Sequence, residues 1–234
     1  MKVPFYNSWF QKRLKKVVDI LGEDWFVGKS ILELGSCHGD FGLEFIKMGS
    51  RVTFCEARIE HLESIRQKLY NEFPSIDGAN KNSFAKLVQL DQNSPYIFDY
   101  KYDLVLHFGI LYHIENWKQD LECALKTSDL MFLETQVYPN ANGIENYNIS
   151  NSGEYSAYNS IEPIFTQEEV EQVLNGCGAK FIRFDSKDLN NSGWSSDECI
   201  LNNVYDWSMD NYTMYYPINK KDNINFRRFW LVLK

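Results

Sequence analysis

The sequence predicts an α/β fold built on a doubly wound, mostly parallel sheet. Segments with the pattern of strands alternate with helical segments over Lys29–Thr135, which is typical of a parallel sheet with right-handed crossovers. The stretch Ile31–Gly42, ILELGSCHGDFG, joins an apolar run to an amphipathic segment through a glycine-rich turn. An acidic residue, Glu56, follows the second strand segment, 23 residues beyond Glu33. Such sheets bind ligands at the carboxyl ends of their strands, so we expect a ligand site there.

Composition sets the broad class of the protein. The 234 residues suit one domain with additions, and 44% hydrophobic with 24% charged residues is typical of a globular rather than a disordered chain. The net charge of −8 argues against a broad nucleic-acid surface, although it leaves room for a local basic groove.

The cysteines and the first residues of the sequence bear on the cellular compartment of the protein. The five cysteines form no C-x-x-C pair and show no metal-ligand spacing, and their odd number is typical of free thiols in a reducing compartment. The segment MKVPFYNSWF lacks the apolar core of a signal peptide, and no run of about 18 apolar residues could cross a bilayer. We therefore expect a cytoplasmic protein without a membrane partner. The sequence does not define its oligomeric state.

A helix is expected over Asn7–Leu21, because apolar residues recur there at helical spacing. It belongs to a predicted N-terminal helical cap, residues 1–28, that precedes a domain of residues 29–234. Four basic residues lie mainly on the other helix faces: Lys12, Arg13, Lys15 and Lys16. They form either a solvated basic face or a contact for a phosphate-bearing acceptor or an RNA.

The glycine-rich turn is the central candidate for ligand binding. Gly35 and Gly39 let the backbone take a positive φ angle or let a ligand approach closely. The next helix, predicted over Phe41–Met48, presents unpaired N–H groups and a positive dipole end, which suit an anionic or polar ligand. Tight packing is the alternative reason for these glycines. Glu56, at the tip of the second strand, stands where doubly wound folds bind ribose hydroxyls.

These residues resemble the E/D-x-G-x-G-x-G signature of class I S-adenosylmethionine-dependent methyltransferases, with Glu33, Gly35 and Gly39 at matching positions. The match departs at the middle glycine, where Cys37 stands. The segment VTFCEAR, which contains Glu56, resembles the segment that ends in the ribose-binding acid of that family.

The resemblance continues through three further segments in the same order. LVQLDQNSP, Leu87–Pro95, resembles the third strand and its loop, with Asp91 where the family often contacts the adenine amino group. YDLVLHFGILYHIENW, Tyr102–Trp117, resembles the fourth strand and a loop that reads G-x-L-Y-H-x-x-N-P in many members, with Trp117 in place of that proline. LMFLET, Leu130–Thr135, resembles the fifth strand.

The similarity covers about residues 29–135 and implies a seven-stranded sheet whose last strand runs antiparallel beside the fifth. Lys180–Phe184 and Phe226–Leu233 are the expected sixth and seventh strands. A helix capped by Thr166 in the pattern T-x-E-E-V, and closed by Gly176, precedes them. Two stretches, at about 137–165 and 185–225, are expected to be lid or acceptor insertions. Their aromatic residues form either a stacking pocket or the core of a cap.

The resemblance implies S-adenosylmethionine as the cofactor, bound by the turns that follow the first four strands. The residues expected to bind it are Glu33, Gly35, Ser36, Cys37, Gly39, Glu56, Ala57, Asp91, Gln92, His107, Phe108 and Gly109. No metal is expected, because the metal-dependent branch of these enzymes uses paired acids near the fourth strand. Asp103 lies at the wrong end of that strand and no carboxylate pair follows it.

His113 is the candidate catalytic residue. It lies in the loop after the fourth strand, and an alcohol or amide acceptor must lose a proton to a general base. The alternative is that His113 orients the loop or packs beneath the cofactor. Glu134, at the end of the fifth strand, is either a polar group of the acceptor pocket or a buried carboxylate held by backbone donors.

These features predict a methyltransferase that acts on an oxygen or nitrogen of a small polar or glycan-like acceptor. One alternative is a tRNA-modifying enzyme, because GILYHIEN also resembles the loop of the wobble-uridine group that modifies 5-hydroxyuridine. Another is a non-catalytic cofactor-binding subunit that keeps the fold for partner binding. Against the subunit stand the acids and glycines of a working cofactor site, Glu33, Gly35, Gly39 and Glu56.

Overall fold

The computed structural model describes residues 6–73, 84–138, 147–149, 157–186, 189 and 227–234. The α-helices of these residues are α1 (Tyr6–Leu21), α2 (Asp40–Lys47), α3 (Ile59–Glu72), α4 (Trp117–Thr127) and α5 (Gln167–Gly176). Short 3-10 helices cover Glu23–Phe26 and Leu111–His113. The strands are β1 (Ser30–Leu34), β2 (Arg51–Glu56), β3 (Ala85–Gln89), β4 (Leu104–Phe108), β5 (Leu130–Gln136), β6 (Tyr147–Ile149), β7 (Ile161–Pro163), β8 (Lys180–Phe184) and β9 (Arg227–Leu233).

Seven of these strands form one sheet in the order β3-β2-β1-β4-β5-β9-β8. Strands β1 to β5 pair in parallel, whereas β9 lies antiparallel between β5 and β8. The predicted doubly wound sheet with an antiparallel last strand is confirmed. The third strand covers Ala85–Gln89 and begins two residues before the predicted segment. Asp91 lies in the loop that follows it.

Alternate residues of each strand pack on opposite faces of the sheet, as the period of two requires. One face carries Leu32 and Leu133 and packs against α4 and α5. The other face carries Ile31 and Phe132 and packs against α1, α2 and α3. Because both faces are covered, the sheet forms a rigid base for the turns at its carboxyl end.

Helix α1 packs against α2, where the rings of Phe10 and Phe41 lie 4.7 Å apart between centroids. The prediction of a solvated basic face is wrong for one of its four residues. Arg13 is fully buried, because its guanidinium pairs with the buried carboxylate of Glu134 at 2.9 Å. Lys15, by contrast, is exposed and pairs with Asp19 one turn along the helix.

The start of α5 is as predicted. The Thr166 hydroxyl accepts a hydrogen bond from the Glu169 N–H at 3.2 Å, and the Glu169 carboxylate accepts one from the Thr166 N–H at 2.7 Å. This reciprocal capping box satisfies two backbone donors that the first helical turn leaves unpaired.

The first predicted insertion, 137–165, is not a loop throughout. Tyr147–Ile149 pairs antiparallel with Ile161–Pro163, a ribbon too short to show a strand pattern in the sequence. The second insertion lies outside the described residues except for 185, 186 and 189. Within the described ranges, no helix combines the length and the apolar character needed to span a membrane.

Candidate functional site

A cleft opens at the carboxyl ends of β1, β2, β3 and β4, the edge at which the sequence predicts a ligand site. Its main part, of about 830 Å³, lies between the β1–α2 turn, the end of β4 and Trp9 of α1. Its side part, of about 390 Å³, lies beside the turns after β2 and β3. Both parts are open to solvent, and these volumes include part of that open space.

The β1–α2 turn lines the main part with Gly35, Ser36 and Cys37. Gly35 has a φ of 62°, and a Cβ there would lie 2.5 Å from Ile110 Cγ1. Cys37 has a φ of 47°, a left-handed conformation that favours glycine. The departure from the family signature therefore leaves a glycine-like backbone in place. Phe108 and Gly109, at the end of β4, line the main part opposite this turn.

Glu33 lines the main part from the end of β1, and its Oε2 accepts a hydrogen bond from the Gly42 N–H at 3.0 Å. A Cβ at Gly42 would lie 2.6 Å from that oxygen, so the glycine permits this approach. Burial raises the pKa of Glu33 to about 8, because desolvation outweighs the backbone hydrogen bond. A cation placed beside Glu33 would favour its ionised form.

Glu56 lines both parts of the cleft at the end of β2. Its two oxygens accept backbone hydrogen bonds, from the Cys37 N–H at 2.9 Å and from the Arg58 N–H at 3.0 Å. Burial opposes ionisation, but the His61 ring and these two amides outweigh it and hold the pKa of Glu56 below its usual range. Glu56 is therefore an ionised carboxylate at neutral pH, held by two backbone N–H groups and lying beside the His61 ring.

Ala57, Asp91 and Gln92 line the side part of the cleft. Asp91 is exposed, and its Oδ1 accepts a hydrogen bond from the Asn93 N–H at 3.0 Å. Gln92 is buried and donates through Nε2 to Asp120 Oδ1 at 3.0 Å. Asp91 is thus the more accessible of the two side chains for a ligand.

Two predicted cofactor contacts, His107 and Gly39, are not among the residues that line the cleft. His107 is fully buried, and its Nε2 lies 2.6 Å from Asp120 Oδ2 of α4. The alternation along β4 places its side chain on the other face from that of Phe108, which lines the cleft. Gly39 precedes α2 with a φ of 72° and shapes the turn instead.

His113 lines both parts of the cleft, as a general base would require. Its Nδ1 lies 3.1 Å from Glu162 Oε1, a carboxylate that β7 brings from the first insertion. The Tyr112 ring packs against the His113 ring, with 4.0 Å between centroids. A carboxylate beside one ring nitrogen is the arrangement that orients the imidazole in nucleophile–base–acid triads.

Glu134 is a buried carboxylate at the end of β5, as one of the two interpretations predicts, but guanidinium groups hold it instead of backbone donors. Its carboxylate accepts hydrogen bonds from Arg13 Nη2 at 2.9 Å and from Arg227 Nε at 2.6 Å. Burial opposes ionisation, but Arg227 and Arg13 outweigh it and hold the pKa of Glu134 below its usual range. Arg227 also lies near the cleft wall, with Nη2 3.4 Å from where a Gly109 Cβ would stand.

Several residues in or beside the cleft were not among those predicted from the sequence. They come from α1, from α3 and from the first insertion, and they are Trp9, Arg58, His61, Tyr158 and Glu162. The aromatic character of the insertion hints at Tyr158, and the position of Arg58 two residues past Glu56 places it near that carboxylate. The others meet the cleft only through long-range packing.

Solved structures are similar to this fold. No family model matches the sequence, and no curated protein matches it. The N-terminal domain of EvdMO1, crystallised with S-adenosylhomocysteine and D-fucose, has a TM-score of 0.63 and 15% identity, over 95% of this chain and 81% of that one.

Two further structures have similar scores. An S-adenosylmethionine-dependent methyltransferase from Mesorhizobium loti has a TM-score of 0.62 and 11% identity, over 98% of this chain and 100% of that one. Magnesium protoporphyrin IX methyltransferase (ChlM) from Synechocystis PCC 6803, with bound S-adenosylhomocysteine, has a TM-score of 0.57 and 14% identity, over 96% and 83%. The strand order, the antiparallel β9 and these likenesses agree: the chain has the fold of the class I S-adenosylmethionine-dependent methyltransferases.

Proposed function

We propose that the chain is an S-adenosylmethionine-dependent methyltransferase that acts on an oxygen or nitrogen of a small polar or glycan-like acceptor. One observation carries the proposal: the ionised Glu56 and the glycine-like turn at Gly35 and Cys37 meet in one cleft, at the edge where this fold binds ligands. The solved structures of similar fold that hold S-adenosylhomocysteine support the same cofactor.

The residues present fit this cofactor. Glu56 offers a carboxylate for the ribose hydroxyls, and Asp91 in the side part offers one for the adenine amino group. Gly35 lets the β1–α2 turn approach Ile110, which lines both parts of the cleft. Glu56 gives the main part a negative charge, which suits a cationic ligand, and such a ligand beside Glu33 would favour the ionised form of that second carboxyl. When bound, the cofactor supplies a methyl group on a cationic sulfur.

The chain itself contributes positioning and proton transfer. Positioning reactants supplies much of the rate in such a displacement. His113 takes the proton of the acceptor hydroxyl or amide, and Glu162, 3.1 Å from Nδ1, orients the ring and stabilises its charge. Trp9, Phe108 and Tyr112 give the main part aromatic walls, against which the apolar face of a sugar packs.

A sugar-like acceptor is supported by the aromatic walls and by the EvdMO1 domain, which was crystallised with D-fucose. The net charge of −8 gives less support to an RNA acceptor. A cytoplasmic location stays a prediction. Among the described cysteines, Cys55, Cys123 and Cys177 are free thiols, in keeping with a reducing compartment.

Methyl-labelled S-adenosylmethionine tests the proposal directly. The purified chain is incubated with free sugars, nucleotide sugars, small hydroxy acids and unmodified tRNA, and label in each acceptor is counted at low and high salt. We expect label in a small acceptor, with little dependence on salt. Label in tRNA that falls steeply with salt would instead establish the RNA alternative. Cofactor binding without label in any acceptor would favour the non-catalytic subunit.

A further inference from the structure

Three metal-ligating side chains meet beside the main part of the cleft. Ligand atoms of Cys37, His38 and His61 all lie within 4.8 Å of one another, and the two imidazole rings are 5.0 Å apart between centroids. Two of them belong to the β1–α2 turn and the third to α3. No metal is expected from the sequence, because spacing along the chain does not show a cluster whose third ligand is far from the other two.

His61 is the member that points to a ligand. It is 5% exposed and lines the cleft, and among the described residues neither of its ring nitrogens has a hydrogen-bond partner. Buried polar atoms are rarely left in this state. The nearest carboxylate oxygen is Glu56 Oε1, 3.6 Å from His61 Nδ1. A bound cation would satisfy the ring nitrogen and the carboxylate together.

We propose that Cys37, His38 and His61 bind one divalent metal ion of the zinc class, with Glu56 as the fourth ligand. Zinc binds thiolate sulfur at about 2.3 Å and imidazole nitrogen at about 2.0 Å, so tetrahedral ligands stand about 3.3–3.6 Å apart. The 3.6 Å between Glu56 and His61 already meets that distance. Side-chain rotation brings the other atoms from within 4.8 Å to the same spacing.

The ligand set selects the metal. A thiolate with two imidazoles favours Zn²⁺ or Cu²⁺, whereas Mg²⁺, Ca²⁺ and Mn²⁺ prefer oxygen ligands. Binding releases the thiol proton of Cys37, because only the thiolate is a metal ligand. We therefore expect the site to bind Zn²⁺ and Co²⁺ and not to bind Mg²⁺.

The metal would compete with the cofactor, and this part of the inference rests on the proposed function. Glu56 is the carboxylate assigned to the ribose hydroxyls, and Cys37 and His61 line the same part of the cleft. An ion held by Glu56 removes that acceptor and occupies the space beside it. Zinc is then an inhibitor that acts at the cofactor site.

Two titrations of the full chain test the metal site without any cofactor. ZnCl₂ binding is measured by calorimetry, and CoCl₂ binding by the visible absorption of a thiolate-bound ion. We expect one equivalent to bind. Cys37→Ser should abolish the thiolate absorption, and Cys37→Ser and His61→Gln should each weaken Zn²⁺ by at least about 10-fold. Cys177→Ser, a half-buried cysteine at the end of α5, is the matched control and should change nothing.

Circular dichroism shows whether each variant is folded. Because Cys37 and His61 lie on different elements, damage to one turn would not explain weaker binding in both variants. Unchanged Zn²⁺ affinity in both variants, or no binding by the wild type, would overturn the metal site. A second titration, of S-adenosylhomocysteine with and without one equivalent of Zn²⁺, tests the competition. Cofactor binding that Zn²⁺ leaves unchanged contradicts the competition alone, and absent cofactor binding contradicts the proposed function alone.

Discussion

Two regions at the carboxyl end of the sheet, called here the donor half and the acceptor half, hold their carboxylates in different ways. In the donor half, formed by the turns after β1 and β2, Glu33 and Glu56 accept backbone N–H groups from residues 9 and 19 positions away. In the acceptor half, formed by the end of β4 and the elements behind it, the carboxylate is that of Glu134, which is buried behind the cleft lining. It accepts hydrogen bonds from the guanidinium groups of Arg13 and Arg227, 121 and 93 positions away.

The difference separates ligand binding from structural support. Backbone amides hold a carboxylate without cancelling its charge, so the ionised Glu56 keeps a negative potential in the donor half for a cationic ligand. Two guanidinium groups instead neutralise Glu134 and tie α1, β5 and β9 together. Substitutions in the two halves should therefore have opposite effects on stability and on binding.

The largest effect is expected for Glu134→Ala. It leaves two buried guanidinium groups without their carboxylate, and removal of one partner of a buried ion pair costs about 3–5 kcal/mol of unfolding free energy. Urea unfolding measures this loss. Asp129→Ala, which breaks an exposed pair with Lys101, is the control and should cost less than about 1 kcal/mol. Equal losses in the two variants would remove Glu134 from its structural role.

His113→Ala comes next. If His113 is the general base, turnover should fall at least about 100-fold, which is about 3 kcal/mol, while affinity for S-adenosylhomocysteine stays within about 2-fold. Glu162→Gln should lower turnover less, because the ring remains and loses only its orienting carboxylate. Steady-state kinetics and calorimetry give the two quantities. Equal losses of turnover and cofactor affinity would point to a structural His113.

Glu56→Ala should affect binding rather than stability. Loss of a charged acceptor for the ribose hydroxyls weakens cofactor affinity by about 1–3 kcal/mol. Glu60→Ala, an exposed acid on α3, is the matched control and should leave affinity unchanged. Calorimetric titration measures both. Identical affinities of the two variants would remove Glu56 from the cofactor site.

The raised pKa of Glu33 predicts the smallest effect, a pH dependence of binding. A cationic sulfonium favours the ionised carboxylate, so binding releases a proton below the pKa of about 8. Affinity for S-adenosylmethionine should therefore rise by up to about 10-fold per pH unit as pH approaches 8, and then level off. S-adenosylhomocysteine, without that charge, should show a shallower slope.

Glu33→Gln is the control for this pH dependence, because an amide does not titrate in this range. The difference in slope between the two ligands should disappear in the variant. Parallel slopes of the two ligands in the wild type would show that Glu33 does not sense the sulfonium charge.

The donor half was predictable from the sequence because its geometry is local. A strand, a glycine turn and a helix over Ile31–Gly42 fix where Glu33 and Gly35 lie, and the parallel neighbour β2 places Glu56 beside them. The sheet order followed for the same reason, since alternating strands and helices allow few topologies. Strand alternation would also have placed His107 on the far face, had its register been known.

The acceptor half was not predictable, because its contacts join distant parts of the chain. No periodicity marks Arg13 as the buried member of a basic helix, since its burial depends on a carboxylate at the end of β5. Glu162 reaches His113 only because a short ribbon folds the insertion back toward the cleft. One feature of the donor half was not predictable for the same reason. The cluster of Cys37, His38 and His61 forms where α3 packs beside the β1–α2 turn.

Calorimetric titration of the purified full chain with S-adenosylmethionine and S-adenosylhomocysteine tests the central claim most directly. The donor half predicts one site per chain with micromolar affinity for both ligands, weakened in Glu56→Ala and unchanged in Glu60→Ala. A folded protein that binds neither ligand would contradict the cofactor assignment and leave the class I fold as a scaffold with another role.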